Sequence, residues 1–188
     1  MGTSAAKAKP ALGFLTVVDY QDQGLIGGLL VLNLAGRPLE FHCTAPVRPN
    51  RAQQILYGPT LEPYLCGEQI AQTLLSKTTA NLLAVCTDRS AVLNVREFVD
   101  LPVAMVLPVQ NPLAESGQEL RIDAPHVRGL AEPFFLGRNR LAVAAVAKQD
   151  QSAIADRLME SAGLLDLSEP FQRIRDAIEE ARRGGQSG

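Results

Sequence analysis

The sequence predicts an α/β protein built on a mixed β-sheet, and two observations support this class. Three segments rich in β-branched, aromatic and aliphatic residues follow one another between turn-forming residues, which is typical of an antiparallel meander. Further apolar strand-like segments then alternate with helix-like segments. We therefore expect a mixed sheet that opens with a three-stranded antiparallel meander, with helices packed on it and a helical extension at the C-terminus.

The meander is predicted for residues 14–20, 25–34 and 39–44. The second segment is apolar at both alternating sets of positions, so both of its faces should be covered. Gly27 and Gly28 remove two side chains from it, which indicates a bulge or a close approach of another backbone. The third segment alternates, and one of its faces should contact water.

The remaining elements follow from turn residues, caps and periodicity. The segment at 89–99 fits either a helix or a strand, and a helix is favoured. Residues 110–138 are punctuated by Pro and Gly and predict a long irregular segment. The predicted elements are a helix at 51–57, a helix at 60–76 capped by Thr60, strands at 81–88, 101–109, 119–123 and 140–147, a helix from Asp150 or Ser152 to Gly163, and a helix from Ser168.

Length and composition favour one folded domain with appendages. The chain has 188 residues, 46% hydrophobic residues and a formal net charge of −2. These values predict a globular protein and argue against a general affinity for nucleic acid or membrane. We expect a disordered leader at 1–12, a single α/β domain at 13–148, a helical extension at 149–184 and a flexible tail at 185–188. The absence of an apolar signal core predicts a cytoplasmic location.

Three cysteines, Cys43, Cys66 and Cys86, lie far apart in the sequence. An odd number of cysteines without a signal peptide is typical of a reducing compartment. Metal ligands usually come in closely spaced pairs, and none occurs here even with His42 nearby. We therefore expect the cysteines to act as small apolar residues.

One acidic residue, Glu68, falls within the apolar face of the helix predicted at 60–76. A carboxylate in such a position is costly unless it is paired with a positive charge or binds a cation. Two further acids follow apolar strand residues, Asp19 in LTVVDY and Asp88 in LLAVCTD.

With these three acids, the order of elements over residues 13–109 resembles the ribonuclease H-like superfamily, our leading fold candidate. The resemblance implies that Asp19, Glu68 and Asp88 converge on two divalent ions, Mg²⁺ or Mn²⁺, and cleave DNA or RNA. Two departures weaken it. Glu68 lies late in its helix, and no fourth acid is assigned, with Asp150 and Asp156 only as candidates. Each acid also has a structural alternative, as a turn residue, a helix cap or an ion-pair partner.

The one locally basic region offers a candidate anion site at Arg128, Arg138 and Arg140. Nearby acidic residues dilute its charge, so a solvated loop is the alternative.

The last predicted helix carries a narrow apolar stripe that either packs on its own domain or binds a partner. The stripe and the residues before it comprise Leu164, Leu167, Phe171, Ile174 and Ile178.

These observations favour a non-catalytic protein-binding subunit or scaffold of a cytoplasmic multiprotein assembly. The sequence contains no complete catalytic motif, and it combines a long irregular segment with an appended amphipathic helix. The partners would be other protein chains or further copies of this one, and no cofactor is expected. The alternative is the metal-dependent nuclease, and a third hypothesis is a small-ligand sensor that uses the sheet edge and the basic region.

Overall fold

The computed structural model describes residues 9–108, 129–160 and 165–185. Within these ranges the chain forms one mixed sheet with helices on both faces. The strands are β1 (Pro10–Tyr20), β2 (Gly24–Asn33), β3 (Pro38–Cys43), β4 (Asn81–Thr87), β5 (Val103–Leu107), β6 (Phe134–Leu136) and β7 (Asn139–Val143).

Four helices accompany these strands in the described part. They are α1 (Arg51–Tyr57), α2 (61–75), α3 (Gln149–Leu158) and α4 (Glu169–Gly185). Helix α2 has π-helical geometry over Tyr64–Gln72, between short α-helical turns. A 3-10 segment, Ser90–Glu97, connects β4 to β5, so the ambiguous stretch at 89–99 is helical.

The sheet has the strand order β3-β2-β1-β4-β5-β7-β6. The predicted meander is present, because β1 pairs with β2 and β2 with β3 in antiparallel fashion. The β1–β4 and β4–β5 pairs are parallel, whereas β7 runs antiparallel to both β5 and β6. The predicted class, α/β with a mixed sheet, is therefore correct.

The helices cover the two faces of the sheet separately. We call the face packed by α2 and the 3-10 segment the α2 face, and the face packed by α3 and α4 the α4 face. Strand β2 contributes Leu29 and Val31 to the first and Leu30 and Leu32 to the second. The apolar residues on both faces of β2 thus correctly predicted that helices or loops cover both of its faces. No helix in the described part has the length and apolar character needed to cross a bilayer.

The glycine pair of β2 allows helices to approach the sheet from both sides. A Cβ atom on Gly27 would collide with Ile70 of α2, and one on Gly28 would collide with Ile174 of α4. The expected approach of another backbone is not present, because side chains of the two covering helices fill the space that the glycines leave. The register shift of β2 lies elsewhere, at Val31.

Several predicted boundaries differ from the structure. Strand β1 begins at Pro10, so part of the expected leader belongs to the sheet, where Ala11 and Leu12 are fully buried. This extension arises because β4 pairs with β1 from residue 81 onward, a contact distant in sequence. Strand β6 lies in the segment expected to be irregular, and the strand predicted at 119–123 lies outside the described residues.

The predicted helix caps also differ. Thr60 does not cap α2, because its hydroxyl donates to the carbonyl of Tyr57 instead. Helix α3 begins at Gln149, without a side-chain cap. Before α4, Asp166 accepts hydrogen bonds from the backbone amide and the hydroxyl of Ser168.

Candidate functional site

Asp19 is exposed near the end of β1 and belongs to the α2 face. Its strand neighbours Leu15 and Val17 pack on that face, and side chains two residues apart in a strand share a side. Its charge contributes to the raised pKa of Cys66 on α2, after burial and the charge of Glu62. Asp19 thus faces α2 at the carboxyl end of β1.

Asp88 lies directly after β4 and is held on the opposite, α4 face. One oxygen of its carboxylate accepts a hydrogen bond from the guanidinium of Arg175, on α4. Its other oxygen, Oδ1, is buried without a hydrogen-bond partner in the described part of the chain. The ion pair fixes this carboxylate against α4 and away from α2.

Glu68 lies on α2 and is half-buried, so it is less enclosed than its position in the apolar pattern predicted. It is near Tyr57, whose ring stacks on Tyr64 with centroids 4.1 Å apart. The pKa of Tyr57 is raised first by its hydrogen bond with Tyr64, then by desolvation, and also by the charges of Tyr64 and Glu68. Glu68 is therefore next to the tyrosine pair.

The structure thus does not assemble the predicted metal centre. Residues 9–108, 129–160 and 165–185 contain no group of three or more His, Cys, Asp or Glu side chains placed to hold a metal ion. The physical reason is the sheet itself, which separates Glu68 and Asp19 on one face from Asp88 on the other. The two ions of such a site lie about 3.5–4 Å apart, so the carboxylates that hold them must be close together.

The carboxyl ends of β1 and β4 nevertheless meet where the chain connections diverge, a common place for ligands in open α/β sheets. Leu15 pairs with Thr87, so Thr16 is level with Asp88 on the α4 face. The hydroxyl of Thr16 is buried and lacks a partner in the described residues, like Oδ1 of Asp88. These atoms can accept or donate hydrogen bonds, but no base contacts the hydroxyl, so they do not form a nucleophile–base pair.

Two of the three cysteines are buried, as expected, and the third is not. Burial, followed by the charge of Glu62, raises the pKa of Cys66 to about 12, and burial alone raises the pKa of Cys86 to about 12. Both therefore remain thiols at neutral pH and are poor nucleophiles and metal ligands. Cys43 is exposed on β3, at the edge of the sheet.

His42 and Glu40 on β3 form a hydrogen-bonded pair, with 2.9 Å between Nε2 and Oε2. Oε1 of Glu40 also accepts hydrogen bonds from the amide and the hydroxyl of Thr79. The pKa of Glu40 falls to about 2, mainly because of His42, with further hydrogen bonds from Thr78 and Thr79. The hydroxyl of Thr79 contacts the carboxylate and not the imidazole, so the cluster ties the segment after α2 to β3 and does not form a catalytic triad.

The candidate anion site is only partly described. Arg138 is exposed in the β6–β7 turn, Arg140 is half-buried on β7, and Arg128 lies outside the described residues. The charge of Arg138 helps to lower the pKa of Asp166, although hydrogen bonds from Ser168 are the larger cause. This arginine therefore has a nearby carboxylate that competes with an external anion.

The apolar stripe of α4 packs on its own domain. Of the two alternatives for this stripe, the structure shows this one and not the binding of a partner. Leu164 lies outside the described residues. The other members of the stripe are buried in the core of the α4 face: Leu167, Phe171, Ile174 and Ile178. They are covered by the sheet of their own chain and offer no free surface to a partner.

Helix α1 provides an apolar surface that the sequence did not single out. Asn50 caps it in a reciprocal pair of hydrogen bonds with Gln53, yet none of its residues is buried. Ile55 is 65% exposed and Leu56 is 82% exposed. We call Ile55 and Leu56 the α1 apolar surface. The signal available in the sequence was the Ile-Leu-Tyr triplet in a short segment bounded by Pro49 and Gly58.

The sequence matches no protein-family model and no curated protein.

Proposed function

We propose that this chain is a non-catalytic protein-binding subunit or scaffold of a multiprotein assembly, and that α1 is a docking element. The observation that supports this proposal is the exposure of Ile55 and Leu56 on a helix with a built N-terminal cap. Short isolated helices are marginal in water, and most helical stability comes from packing an apolar face. In the described part of the chain α1 packs on α2 through Tyr57, which stacks on Tyr64, but none of its residues is buried.

The kind of partner follows from the chemistry of this surface. Two exposed aliphatic side chains on one short helix suit an apolar surface of another protein. In the described ranges, the positions of Asp19, Glu68 and Asp88 do not support the nuclease alternative. Nuclease activity is therefore not part of the proposal.

The finer fold assignment belongs to the same proposal. We infer a ribonuclease H-like arrangement for β1 to β5 with α2, used here as a structural framework. Its support is the order of elements: a meander, a helix, a strand, a connector and a parallel strand. Since one fold hosts many functions, this likeness assigns no activity.

The test is affinity purification of the tagged chain from its native cells, comparing wild type with the double variant Ile55→Gln and Leu56→Gln. Val146→Gln is a matched control, because Val146 is 84% exposed and lies outside α1. We expect the double variant to lose specific partners at least tenfold by quantitative mass spectrometry, with an unchanged melting temperature. Partners retained by the double variant, or lost equally from the control, would refute the role of α1.

A further inference from the structure

We infer that Tyr57 and Tyr64 form an oxidative cross-linking site, at which a carbon–carbon bond between the two rings joins α1 to α2. The oxidant is hydrogen peroxide, used by a peroxidase. The bond fixes the α1 docking element in place. This effect on docking rests on the proposed function, whereas the coupling of the two tyrosines does not.

The two rings already have the geometry that coupling needs. Their centroids are 4.1 Å apart, their planes are inclined by 24°, and their hydroxyls are hydrogen-bonded to each other. Because both the centroids and the hydroxyls are adjacent, the two rings point the same way. The carbons ortho to one hydroxyl therefore face the carbons ortho to the other, and these carbons carry much of the unpaired electron density in a tyrosyl radical.

The coupling balances with one molecule of hydrogen peroxide. Each phenol loses one electron and its hydroxyl proton, and the two radicals form a bond between their ortho carbons. The hydrogen on each of these carbons then moves as a proton to the oxygen of the same ring, which restores both phenols. The peroxide takes up the two electrons and the two released protons, its O–O bond breaks, and two waters form.

Access and charge favour this pair of tyrosines. Tyr57 and Tyr64 are half-buried, so part of each side chain contacts solvent. The charge of Glu68 acts on Tyr57, and a nearby negative charge makes removal of an electron from the ring easier. The third tyrosine of the chain, Tyr20, packs on the α4 face, where its ring contacts Arg182. The sheet separates Tyr20 from α2, so it has no second tyrosine beside it.

A bond between these rings would fix a helix that has few other restraints. None of the residues of α1 is buried, and the 3-10 turn Gly58–Thr60 joins it to α2. Gly58 has a φ of +48°, and in the described residues its Cβ position has no neighbour within 4 Å, so this turn is open. Covalent closure of the tyrosine pair therefore removes freedom from α1 and preorganises the α1 apolar surface for a partner.

Mass spectrometry after mild oxidation tests the coupling. The full chain carries Cys43→Ser, which removes the exposed thiol, and is treated at low protein concentration with a peroxidase and limiting hydrogen peroxide. We expect a monomer that is lighter by two hydrogen atoms and contains the joined peptides of Tyr57 and Tyr64. Tyr64→Phe keeps the ring but loses the phenol, and should give at least tenfold less of this product. Tyr20→Phe is the matched control and should give the full yield.

The possible results separate the coupling from the docking function. No coupling, coupling only between separate molecules, or a yield that Tyr64→Phe leaves unchanged overturns the inference. In the coupled monomer the amides of α1 should exchange with deuterium about threefold more slowly, and an equal rate overturns the fixing of α1. None of these measurements needs a partner. A failure of the α1 apolar surface to capture partners would therefore overturn the proposed function alone.

Discussion

The buried ion pair between Asp150 and Arg96 gives the sharpest stability prediction. Asp150 is 2% exposed, and its Oδ2 accepts hydrogen bonds from Nε of Arg96 at 2.8 Å and from the amide of Val103 at 3.3 Å. It thereby ties the start of α3 to the start of β5 and to the 3-10 segment. Replacing Asp150 with Ala leaves both donors without this acceptor.

The expected cost of Asp150→Ala is about 3 kcal/mol. Removing one partner of a buried pair costs about 3–5 kcal/mol. The low end applies because Arg96 is 22% exposed and also donates to the carbonyl of Val99. Asp150→Asn keeps an acceptor and loses only the charge, so about half of that cost is expected. In a protein of this size, 3 kcal/mol lowers the melting temperature by roughly 6–12 °C.

Urea unfolding followed by circular dichroism measures these values, and a double-mutant cycle with Arg96→Met isolates the pair. We expect a coupling energy of about 2 kcal/mol. The sequence-based alternative, Asp150 as a helix cap, gives a loss of about 1 kcal/mol and no coupling to Arg96. A cost below about 1 kcal/mol with additive effects would refute the ion-pair reasoning.

Two further predictions concern the sheet and its edge. Gly27→Ala and Gly28→Ala should each destabilise the fold by about 1–3 kcal/mol through overpacking against α2 and α4. Gly13→Ala, whose Cβ would lie 3.3 Å from the flexible end of Leu82, should change stability by less than either of them in the same urea titration. If the Gly13 variant loses as much stability, the close approach at the glycine pair is not the cause. Because the pKa of Glu40 is lowered from 4.5 to about 2, its stabilising effect is complete above pH 4.5 and is lost as the pH falls toward 2. Glu40→Gln should therefore flatten the acid-unfolding curve in this window, and an unchanged slope would contradict the role of the His42 and Thr79 contacts.

Local patterns in the sequence predicted the part of the fold that depends on neighbours in the chain. The strands of the meander and the cover on both faces of β2 follow from residues a few positions apart, whereas the side chains that fill the space at Gly27 and Gly28 come from distant helices. Strand β6 was missed because three residues carry no measurable period. The start of β1 at Pro10 was missed because its partner β4 is distant in sequence.

The candidate site was harder to predict because it depends on which face of the sheet each side chain occupies. The acidic residues were identified, but their convergence required Asp88 to lie on the α2 face, and Arg175 holds it on the other. Asp150 was assigned to a helix end, since the contact with Arg96 joins residues far apart. The exposure of Ile55 and Leu56 was not predicted, because a seven-residue helix is too short for its apolar residues to define a face.

The central place of β1 has a consequence for how the chain acquires its structure. Strand β1 lies in the interior of the sheet, and its parallel neighbour begins about 70 residues later in the chain, at Asn81. Closing a long loop costs more conformational entropy than forming a hairpin between adjacent strands, so the β1–β4 pair forms more slowly. During translation we expect β1 to β3 to form an early hairpin layer in which the edge of β1 stays unpaired until β4 emerges from the ribosome. A stalled or truncated product that ends before Asn81 should accordingly be prone to aggregate or to be retained by chaperones.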